Sequence, residues 1–357
     1  MIGFIIILIV LGYIVQNLSM KNAMTGIKYS IKTSKLTVEP DEEFEIITTV
    51  RNEKFRFISF LRVDEVFPPE TNTFNTNAKL RLDTIMGTLS HTFSTYLWPK
   101  SSLVRKMNAA LPSRGVYIYK GELMKTGDFL GVHENINYIN ISTEILVYPK
   151  PVNSADVSNI LGGFLGDLSV RRFIMEDPVL TVGSRDYTSY DPMKNISWKH
   201  SAKLGKLMVK QFDYTVEPSV SILLDVNTEK FEQERKDLHE KCFSLARSVC
   251  EELENKGIKY DFLTNATTSD ALSHWSYVAE GLGRSHFHYI AEGLARASAY
   301  RSTEGFAETI EKMKFKQEVG RSTIIITPEK DNEKLQLANE LRSRTSGSVT
   351  FIYGEEL

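Results

Sequence analysis

Cysteine is scarce in this chain, which has two in 357 residues. Two cysteines are too few for the disulfide framework of a small secreted domain. Cys242 and Cys250 lie eight residues apart in a helical pattern, which is about 12 Å along a helix axis. A disulfide tolerates Cα atoms at most about 7 Å apart, so we expect two buried, reduced thiols.

An excess of either charge is also lacking. The chain has 43 Lys and Arg against 45 Asp and Glu, a formal net charge of -2 at pH 7, which gives no general electrostatic reason to bind nucleic acid. Charged residues at 25% and hydrophobic residues at 42% are near the globular average, which argues against disorder and against a polytopic membrane bundle. The length predicts two or three domains that fold in water.

Catalytic motifs are a third absence. The sequence contains no GxxxxGK[ST] phosphate loop, no HExxH metalloprotease helix and no GxSxG nucleophile elbow. His286 and His288 form an HxH pair without a third ligand at useful spacing, and we interpret them as surface or helix-start residues. Cys242 falls on the apolar stripe of a helix, where thiols are unreactive. These absences predict a binding protein and not an enzyme.

One long hydrophobic run stands at the N-terminus. Residues 2–15 carry no charge and would span about 21 Å as a helix. Continued to Met20, the segment reaches about 30 Å, the thickness of a bilayer core. We therefore predict a single-pass transmembrane anchor at residues 1–20, in contact with the lipid bilayer.

The charges beside this segment predict its orientation. No lysine or arginine precedes it, and four lysines follow: Lys21, Lys28, Lys32 and Lys35. Positive flanks stay in the cytoplasm, so the N-terminus is expected outside and the soluble domains in the cytoplasm. The alternative is an extracellular adhesin with a signal anchor, for which these lysines have the wrong sign.

Residues 26–150 have the pattern of an all-β domain. Short alternating or β-branched runs of about ten residues are separated by turn signals such as Pro40-Asp41 and Pro68-Pro69. This spacing predicts an antiparallel, immunoglobulin-like β-sandwich. The next stretch, residues 151–182, mixes Pro, Asn, Ser and Gly and is predicted to be a linker.

The periodicity changes over residues 183–357. Continuous apolar runs lie at 220–226, 259–265, 322–328 and 348–354, and helical patterns lie between them at 231–253, about 286–313 and 331–344. Buried parallel strands are continuous apolar runs, and amphipathic helices cover both faces of such a sheet. We predict a doubly wound α/β domain.

A block at residues 183–227 lies between the predicted linker and the sheet. Asp191 before Pro192 is typical of a helix start, and Gly205 is typical of a helix end. Trp198 is predicted to be a large interior or interdomain anchor. Arg185 is a candidate for a fixed ion pair with Asp186 or Asp191 that braces a loop.

This block resembles a known family. The residues that carry the resemblance are Arg185, Asp186, Tyr187, Asp191, Lys194, Ile196, Trp198, Ala202 and Lys203. In this order, and followed by an apolar strand that ends in Asp225, they are similar to the hallmark of the proteins grouped as domain of unknown function 58. Tyr190 stands where that family often has glycine, and Lys194 and Lys203 stand where it often has arginine. Positive charge is kept at both lysines, but planar bidentate pairing is lost.

The resemblance implies a fold and a role. It implies a von Willebrand factor A-like domain over residues 183–357, in a membrane-anchored interaction or assembly factor. It also implies a protein partner, a MoxR-type ATPase of the AAA+ class, in the maturation of other proteins. The residues of the block would then brace the structure or bind that partner.

The resemblance also raises the question of a metal. True von Willebrand A domains bind Mg²⁺ at the end of the first strand through D-x-S-x-S, helped by a threonine and an aspartate from later loops. Here the run offers Asp225, Asn227 and Glu229, whose oxygens suit Mg²⁺, at a strand end where open sheets place ligands. Thr327, Pro328 and Glu329 follow the later strand in place of the aspartate. We interpret the site as degenerate, and a metal-dependent enzyme that uses Asp225 is the alternative function.

Overall fold

The computed structural model describes most of the chain in segments. These are Gly3, Val10, Gly12 and residues 24–74, 80–83, 86–127, 134–172, 181–212, 219–230, 232–268, 275–316, 321–345 and 348–356. The chain divides into two compact units, Met1–Lys150 and Pro151–Leu357. Each unit is described by itself.

The first unit is a sandwich of two β-sheets. Its strands are β1 (Ile27–Thr33), β2 (Thr37–Val38), β3 (Phe44–Asn52), β4 (Ile58–Phe67), β5 (Asn72–Phe74), β6 (Leu80–Asp83), β7 (Thr88–Leu97), β8 (Ser102–Ala110), β9 (Gly115–Gly127) and β10 (Glu134–Val147). One sheet has the order β1-β3-β8-β5, and the other has the order β2-β10-β9-β4-β7-β6. The short strand β2 runs parallel to β10, whereas β3 pairs antiparallel with both β1 and β8.

Side-chain alternation explains why these strands form a sandwich. Every second residue of β3 from Phe44 to Val50 is buried, and β4 buries Leu61, Val63 and Phe67 in the same way. Successive side chains of a strand point to opposite faces, so one face of each sheet is apolar and packs inward. The two sheets enclose one core, to which Tyr119 and Ile145 also contribute.

A helix occupies most of the segment predicted to be a linker. Helix α1 runs over Ser154–Arg172, so the prediction of a linker at residues 151–182 is wrong over this helix. Val157, Leu161 and Phe164 lie on one stripe of this helix and are buried in the core of the second unit. Packing of that stripe stabilises a helix that contains three glycines.

The second unit is built around a five-stranded sheet with the order β16-β14-β13-β18-β19. Its strands are β13 (Ser219–Leu224), β14 (Lys259–Thr264), β16 (Tyr277–Gly281), β18 (Ser322–Thr327) and β19 (Val349–Tyr353); outside it lie β11 (Thr181–Asp186), β12 (Met208–Phe212), β15 (Ala266–Thr268) and β17 (Ala297–Ser302). Four strands of the sheet are parallel, and β16 joins β14 at the edge in the antiparallel direction.

Helices cover both faces of this sheet. Those after α1 in the chain are α3 (Glu232–Asn255), α4 (Arg284–Arg296), α5 (Phe306–Lys316) and α6 (Asn332–Thr345), whereas the short helix α2 (Trp198–Leu204) has no buried residue. Ile222 and Leu224 share a core with α3 and α4, whereas Leu223 shares a second core with α5 and α6. Alternate residues of one strand therefore pack against different helices, which makes the whole strand apolar.

The helical region predicted at about 286–313 is not continuous. Helix α4 ends at Arg296, strand β17 follows at once, and α5 begins at Phe306. Strand β17 pairs with β15 through Ala266 and Ser302. The prediction was wrong here because a short strand of small and polar residues, ASAYRS, carries no apolar periodicity of its own.

The predicted fold class also included a transmembrane anchor at residues 1–20. Within the part of the chain that the structure describes, none of the helices combines the length and apolarity needed to cross a bilayer. This finding contradicts the anchor and the single-pass location that depended on it. Of residues 1–20, Gly3, Val10 and Gly12 are described, and the others lie outside the described residues.

The two cysteines are buried and free, which confirms the prediction of reduced thiols. Burial is the main cause that raises the pKa of the Cys242 thiol, and the nearby Asp225 carboxylate raises it further. The same burial raises the pKa of the Cys250 thiol. A thiol reacts as its thiolate, so both side chains are unreactive at neutral pH.

Candidate functional site

An ion pair fixes the loop of the block at residues 183–227. Arg185, near the end of β11, donates from Nη1 to Asp191 Oδ2 over 2.7 Å and from Nη2 to Asp191 Oδ1 over 2.6 Å. Asp191 Oδ2 also accepts from the Thr188 backbone N–H and hydroxyl. This bidentate pair closes the turn between Thr188 and Asp191. The structure thus contains the local pair for which these residues were candidates.

These contacts change the acidity of Asp191. Hydrogen bonds from the Arg185 guanidinium are the largest cause that holds the pKa of this carboxyl well below its usual range, and those from Thr188 add to the effect. A lowered folded-state pKa stabilises the fold at pH values above the unfolded pKa of about 3.9. That stability is lost as pH falls through the lowered value.

We expect the turn at Thr188 to lose protection in acid. The protection factor of the Thr188 amide should be constant near neutral pH and fall below about pH 4, because the opened turn binds a proton at Asp191 there and the closed turn, with its lowered pKa, does not. Amide hydrogen exchange measured between pH 3 and pH 7 checks this. Asp191→Asn is the control, and it should show weak protection at all pH values. An equal acid dependence in the variant would show that another group is responsible.

The rest of the block folds around a few buried side chains. Ile196, Met208 and Val209 are buried, and Ile196 forms an isolated bridge with Val209. Ser201 Oγ accepts from the Met208 backbone N–H over 2.8 Å. Helix α2 ends at Leu204, and Gly205 caps it with a left-handed backbone, at φ of 67°. Gly205 is thus the helix-ending residue that the sequence predicted.

The remaining motif residues are at the surface. Lys206 contacts Asp186, and the Tyr187 backbone N–H donates to Leu207. Trp198 is 65% exposed, so the prediction of an interior anchor is wrong within the second unit. The other exposed residues of the block include Tyr190, Met193, Lys194, Ala202 and Lys203. The structure therefore brings Arg185 and Asp191 together, and the exposed positions of the block do not join them in a common site.

Asp225 lies at the carboxyl edge of the central sheet, directly after β13, and is 0% exposed. Its Oδ1 accepts from Asn265 Nδ2 over 2.6 Å, and its Oδ2 accepts from the Thr327 hydroxyl over 2.9 Å. Lys334, at the start of α6, places Nζ 2.6 Å from the same Oδ2. An ammonium group therefore lies where the sequence suggested a metal.

The two other candidate ligands do not join Asp225 around a common point. The Asn227 side-chain amide donates to the Glu304 carbonyl over 2.9 Å, and Glu229 is exposed. Among the described residues there is no group of three or more His, Cys, Asp or Glu side chains that could hold a metal ion. The donor set at this edge thus does not fit Mg²⁺, which needs near-octahedral oxygen coordination, usually by one or two carboxylates together with several waters.

A second surface feature lies at one end of the sandwich. Phe57 immediately precedes β4 and Trp98 immediately follows β7, and their ring centroids are 4.9 Å apart. The Tyr96 ring centroid lies 6.0 Å from that of Phe57. Phe55 is 84% exposed, with Lys100 Nζ 4.3 Å above its ring. We call Phe55, Phe57, Tyr96 and Trp98 the aromatic tip.

A buried asparagine holds the two loops of the aromatic tip. Asn52, at the end of β3, is buried; its Nδ2 donates to the carbonyls of Arg56 over 2.8 Å and of Trp98 over 3.0 Å. Its Oδ1 accepts from the Lys54 backbone N–H. The Lys100 N–H donates across to the Lys54 carbonyl. The backbone that carries the aromatic side chains is thus already held by hydrogen bonds in the unbound protein.

The aromatic tip was not predicted, although the sequence contains a signal for it. The run Asn52-Glu53-Lys54 has turn-forming composition, and a turn at the end of a sandwich is solvent-exposed. Phe55 and Phe57 follow that turn directly, and Trp98 stands before Pro99 and Lys100 at the next one. Large aromatic residues placed in turns cannot all be core residues, so their exposure could have been predicted.

Comparison with known proteins gives distant structural likeness. The chain matches no protein-family model, and no curated protein is similar to it. It is similar to a cohesin module of a family 33 glycoside hydrolase from Clostridium perfringens, at 15% identity over 35% of this chain and 98% of that chain, with a TM-score of 0.25. It is also similar to the CARDB domain of a Pyrococcus furiosus protein, at 18% identity over 34% and 91% of the two chains, with a TM-score of 0.24.

A type II cohesin domain from the cellulosome of Acetivibrio cellulolyticus is a third match, at 12% identity over 33% and 94% of the two chains, with a TM-score of 0.26. At TM-scores this low the likeness says nothing about what this chain does. The structures named here are cohesin and CARDB domains, and none of them supports the predicted von Willebrand A-like description. The resemblance to the domain of unknown function 58 family stays a prediction.

Proposed function

We propose that this chain is a protein-binding factor and that the aromatic tip of the sandwich is its contact surface. The observation that carries the proposal is the contact of Phe57 with both Trp98 and Tyr96 at the surface. Trp98 is 63% exposed. Exposed apolar clusters are typical of interaction sites, and tryptophan and tyrosine are enriched among the residues that dominate binding energy.

The rigidity of the tip favours this role. Ordering a loop on binding costs free energy, and a surface that is already ordered avoids that cost. The buried Asn52 side chain fixes both loops through hydrogen bonds to the backbone carbonyls of Arg56 and Trp98. The aromatic rings can therefore be buried by a partner without rearrangement of the backbone that carries them.

The family resemblance supplies the partner to test first, a MoxR-type ATPase of the AAA+ class. That partner is a prediction from the block at residues 183–227. The aromatic tip and the exposed Trp198 of the block are the two surfaces that such a partner could contact. The alternative of a metal-dependent enzyme at Asp225 is less well supported, because Lys334, Thr327 and Asn265 already occupy the oxygens of that carboxylate.

We expect Trp98→Ala to weaken binding of the partner at least about 30-fold, the effect of a contact worth about 2 kcal/mol or more. Trp198→Ala tests the competing surface, because this side chain is 65% exposed in the other unit, and it should leave the dissociation constant unchanged when the tip is the contact. Titration calorimetry of the full-length chain with the MoxR-type ATPase of the same organism measures both dissociation constants. Far-UV circular dichroism should be unchanged in both variants, since neither side chain is in a core.

The opposite pattern of binding would place the contact surface elsewhere on the chain. Loss of binding in Trp198→Ala alone would place the contact on the block and contradict the role of the tip. If the purified ATPase does not bind the unmodified chain, a photo-crosslinking amino acid at Tyr96 in living cells identifies what does contact the tip. Absence of any protein adduct from Tyr96 in cells would contradict a protein-binding function for this surface.

A further inference from the structure

The ammonium group of Lys334 sits in a cradle of three oxygens. Its Nζ lies 2.6 Å from Asp225 Oδ2, 2.8 Å from the Asn227 carbonyl oxygen and 2.9 Å from Thr327 Oγ1. An ammonium has three protons to donate, and this geometry gives each of them an acceptor. Lys334 is 7% exposed, so a long charged side chain has been brought almost completely out of water.

The fold, and not the local sequence, builds this cradle. Asp225 follows β13 and Thr327 ends β18, which is the neighbouring parallel strand. Carboxyl ends of parallel strands meet at one edge of a sheet, where α/β folds commonly place ligands. Lys334 reaches that edge from the first turn of α6.

The cradle contains one negative charge, that of Asp225, and the ammonium of Lys334 neutralises it. Asp225 is the one carboxylate within hydrogen-bonding distance of Nζ among the contacts described above. The nearby carboxylates have other donors: Glu329 accepts from Thr228 over 2.7 Å, and Glu304 is paired with Lys312 and accepts from Thr309. The ring of Phe306 lies 5.6 Å from Nζ and closes one side.

We propose that Lys334 is the built-in monovalent cation of this sheet edge, and that the cradle without it is a binding site for a small monovalent cation of the alkylammonium or alkali class. One carboxylate oxygen, one carbonyl and one hydroxyl match a charge of +1. Mg²⁺ requires near-octahedral coordination and gives up its water reluctantly, and three converging oxygens around a single negative charge do not satisfy those requirements. This proposal is independent of the protein-binding function.

The test is chemical rescue of Lys334→Ala in the full-length chain. The substitution removes a propylammonium fragment and leaves Asp225 buried without its partner, so the melting temperature should fall by about 10 °C. Addition of propylammonium or methylammonium chloride should raise it again in a saturable manner. Tetramethylammonium chloride at equal ionic strength is the size control and should have no such effect, because it cannot donate a hydrogen bond or fit the cradle.

Two further proteins separate specific rescue from a general salt effect. The unmodified chain already holds its cation and should respond equally to all these salts and to Mg²⁺. The double variant Asp225→Asn with Lys334→Ala has no charge to balance and should not be rescued by propylammonium. If Lys334→Ala does not fold, refolding from urea in propylammonium and in tetramethylammonium gives the same comparison, and recovery of the native far-UV spectrum is expected only in the former.

Three results would overturn the proposal. Equal stabilisation of Lys334→Ala by propylammonium and tetramethylammonium would show screening without a site. Stronger rescue by millimolar Mg²⁺ than by the monovalent cations would show that the cradle is a divalent site. An unchanged melting temperature in Lys334→Ala would show that the ammonium is not required at this edge.

Discussion

Replacement of Glu65 by alanine is expected to lower the free energy of unfolding of the sandwich by about 3–5 kcal/mol. Glu65 is buried in β4, and its carboxylate accepts from the Tyr29 hydroxyl and from the Thr48 hydroxyl over 2.7 Å each. Nδ1 of the buried His91 lies 2.7 Å from the other carboxylate oxygen. Alanine would leave three buried groups without their acceptor and would also leave a cavity.

The position of this network explains the size of the effect. Tyr29 and Thr48 belong to the sheet that contains β1 and β3, whereas Glu65 and His91 belong to the sheet that contains β4 and β7. The carboxylate therefore joins the two sheets through the middle of the core. Burial raises the pKa of the Tyr29 hydroxyl, and the charge of Glu65 raises it further, so this hydroxyl stays protonated and keeps donating at neutral pH.

Hydrogen exchange followed by mass spectrometry measures the effect in each unit separately. Protection should fall in the strands of the sandwich and stay unchanged in the central sheet of the second unit. Glu45→Ala is the control, because Glu45 pairs with Lys106 at the surface and exposed pairs contribute about 1 kcal/mol or less. A loss of stability no larger than that of Glu45→Ala would contradict the role of Glu65 as a link between the sheets.

The sequence contained a signal for Glu65, which we did not use. Leu61, Val63 and Phe67 are the inward residues of β4, and Glu65 falls on the same parity. Strand periodicity therefore predicts an inward carboxylate as firmly as it predicts the apolar residues. What it does not predict is the set of partners, because Tyr29, Thr48 and His91 come from three other strands.

The linker error has a different origin. Pro151, Gly162 and Gly163 favoured an irregular segment, and local preference would leave a helix there marginal. Val157, Leu161 and Phe164 nevertheless have helical spacing, and their burial against the second core stabilises α1. Contacts distant in sequence outweighed local propensity at this place.

The two charged sites show how separation in sequence limits prediction. Arg185 and Asp191 are six residues apart, and their pairing could be suggested from the residues alone. Lys334 lies 109 residues from Asp225 on a helix whose pattern predicts a solvated charge. Only the order of the parallel strands brings the two together, so the ammonium at the sheet edge could not be predicted from the sequence.

Gly293→Ala is the second substitution for which we expect a large effect, about 3–5 kcal/mol of lost stability in the second unit. A Cβ at Gly293 would lie inside the van der Waals radius of the Trp275 indole, and Trp275 is among the largest fully buried side chains. Either the indole leaves its site or α4 moves away from it. The first outcome costs about as much as truncation of a buried tryptophan.

If the clash with Trp275 causes the loss, the effect of Gly293→Ala on stability should change sign once the indole is removed. In a Trp275→Ala background the methyl group has room, and alanine is the better helix former by about 1 kcal/mol. Gly293→Ala should then be neutral or stabilising in the double variant, as measured by a double-mutant cycle in urea. Gly162→Ala in α1 is the matched control, because nothing lies within 4 Å of its added Cβ, and it should stabilise slightly in either background. Equal destabilisation by Gly293→Ala with and without the indole would mean that the glycine is needed for the backbone of α4 itself and not for the approach of Trp275.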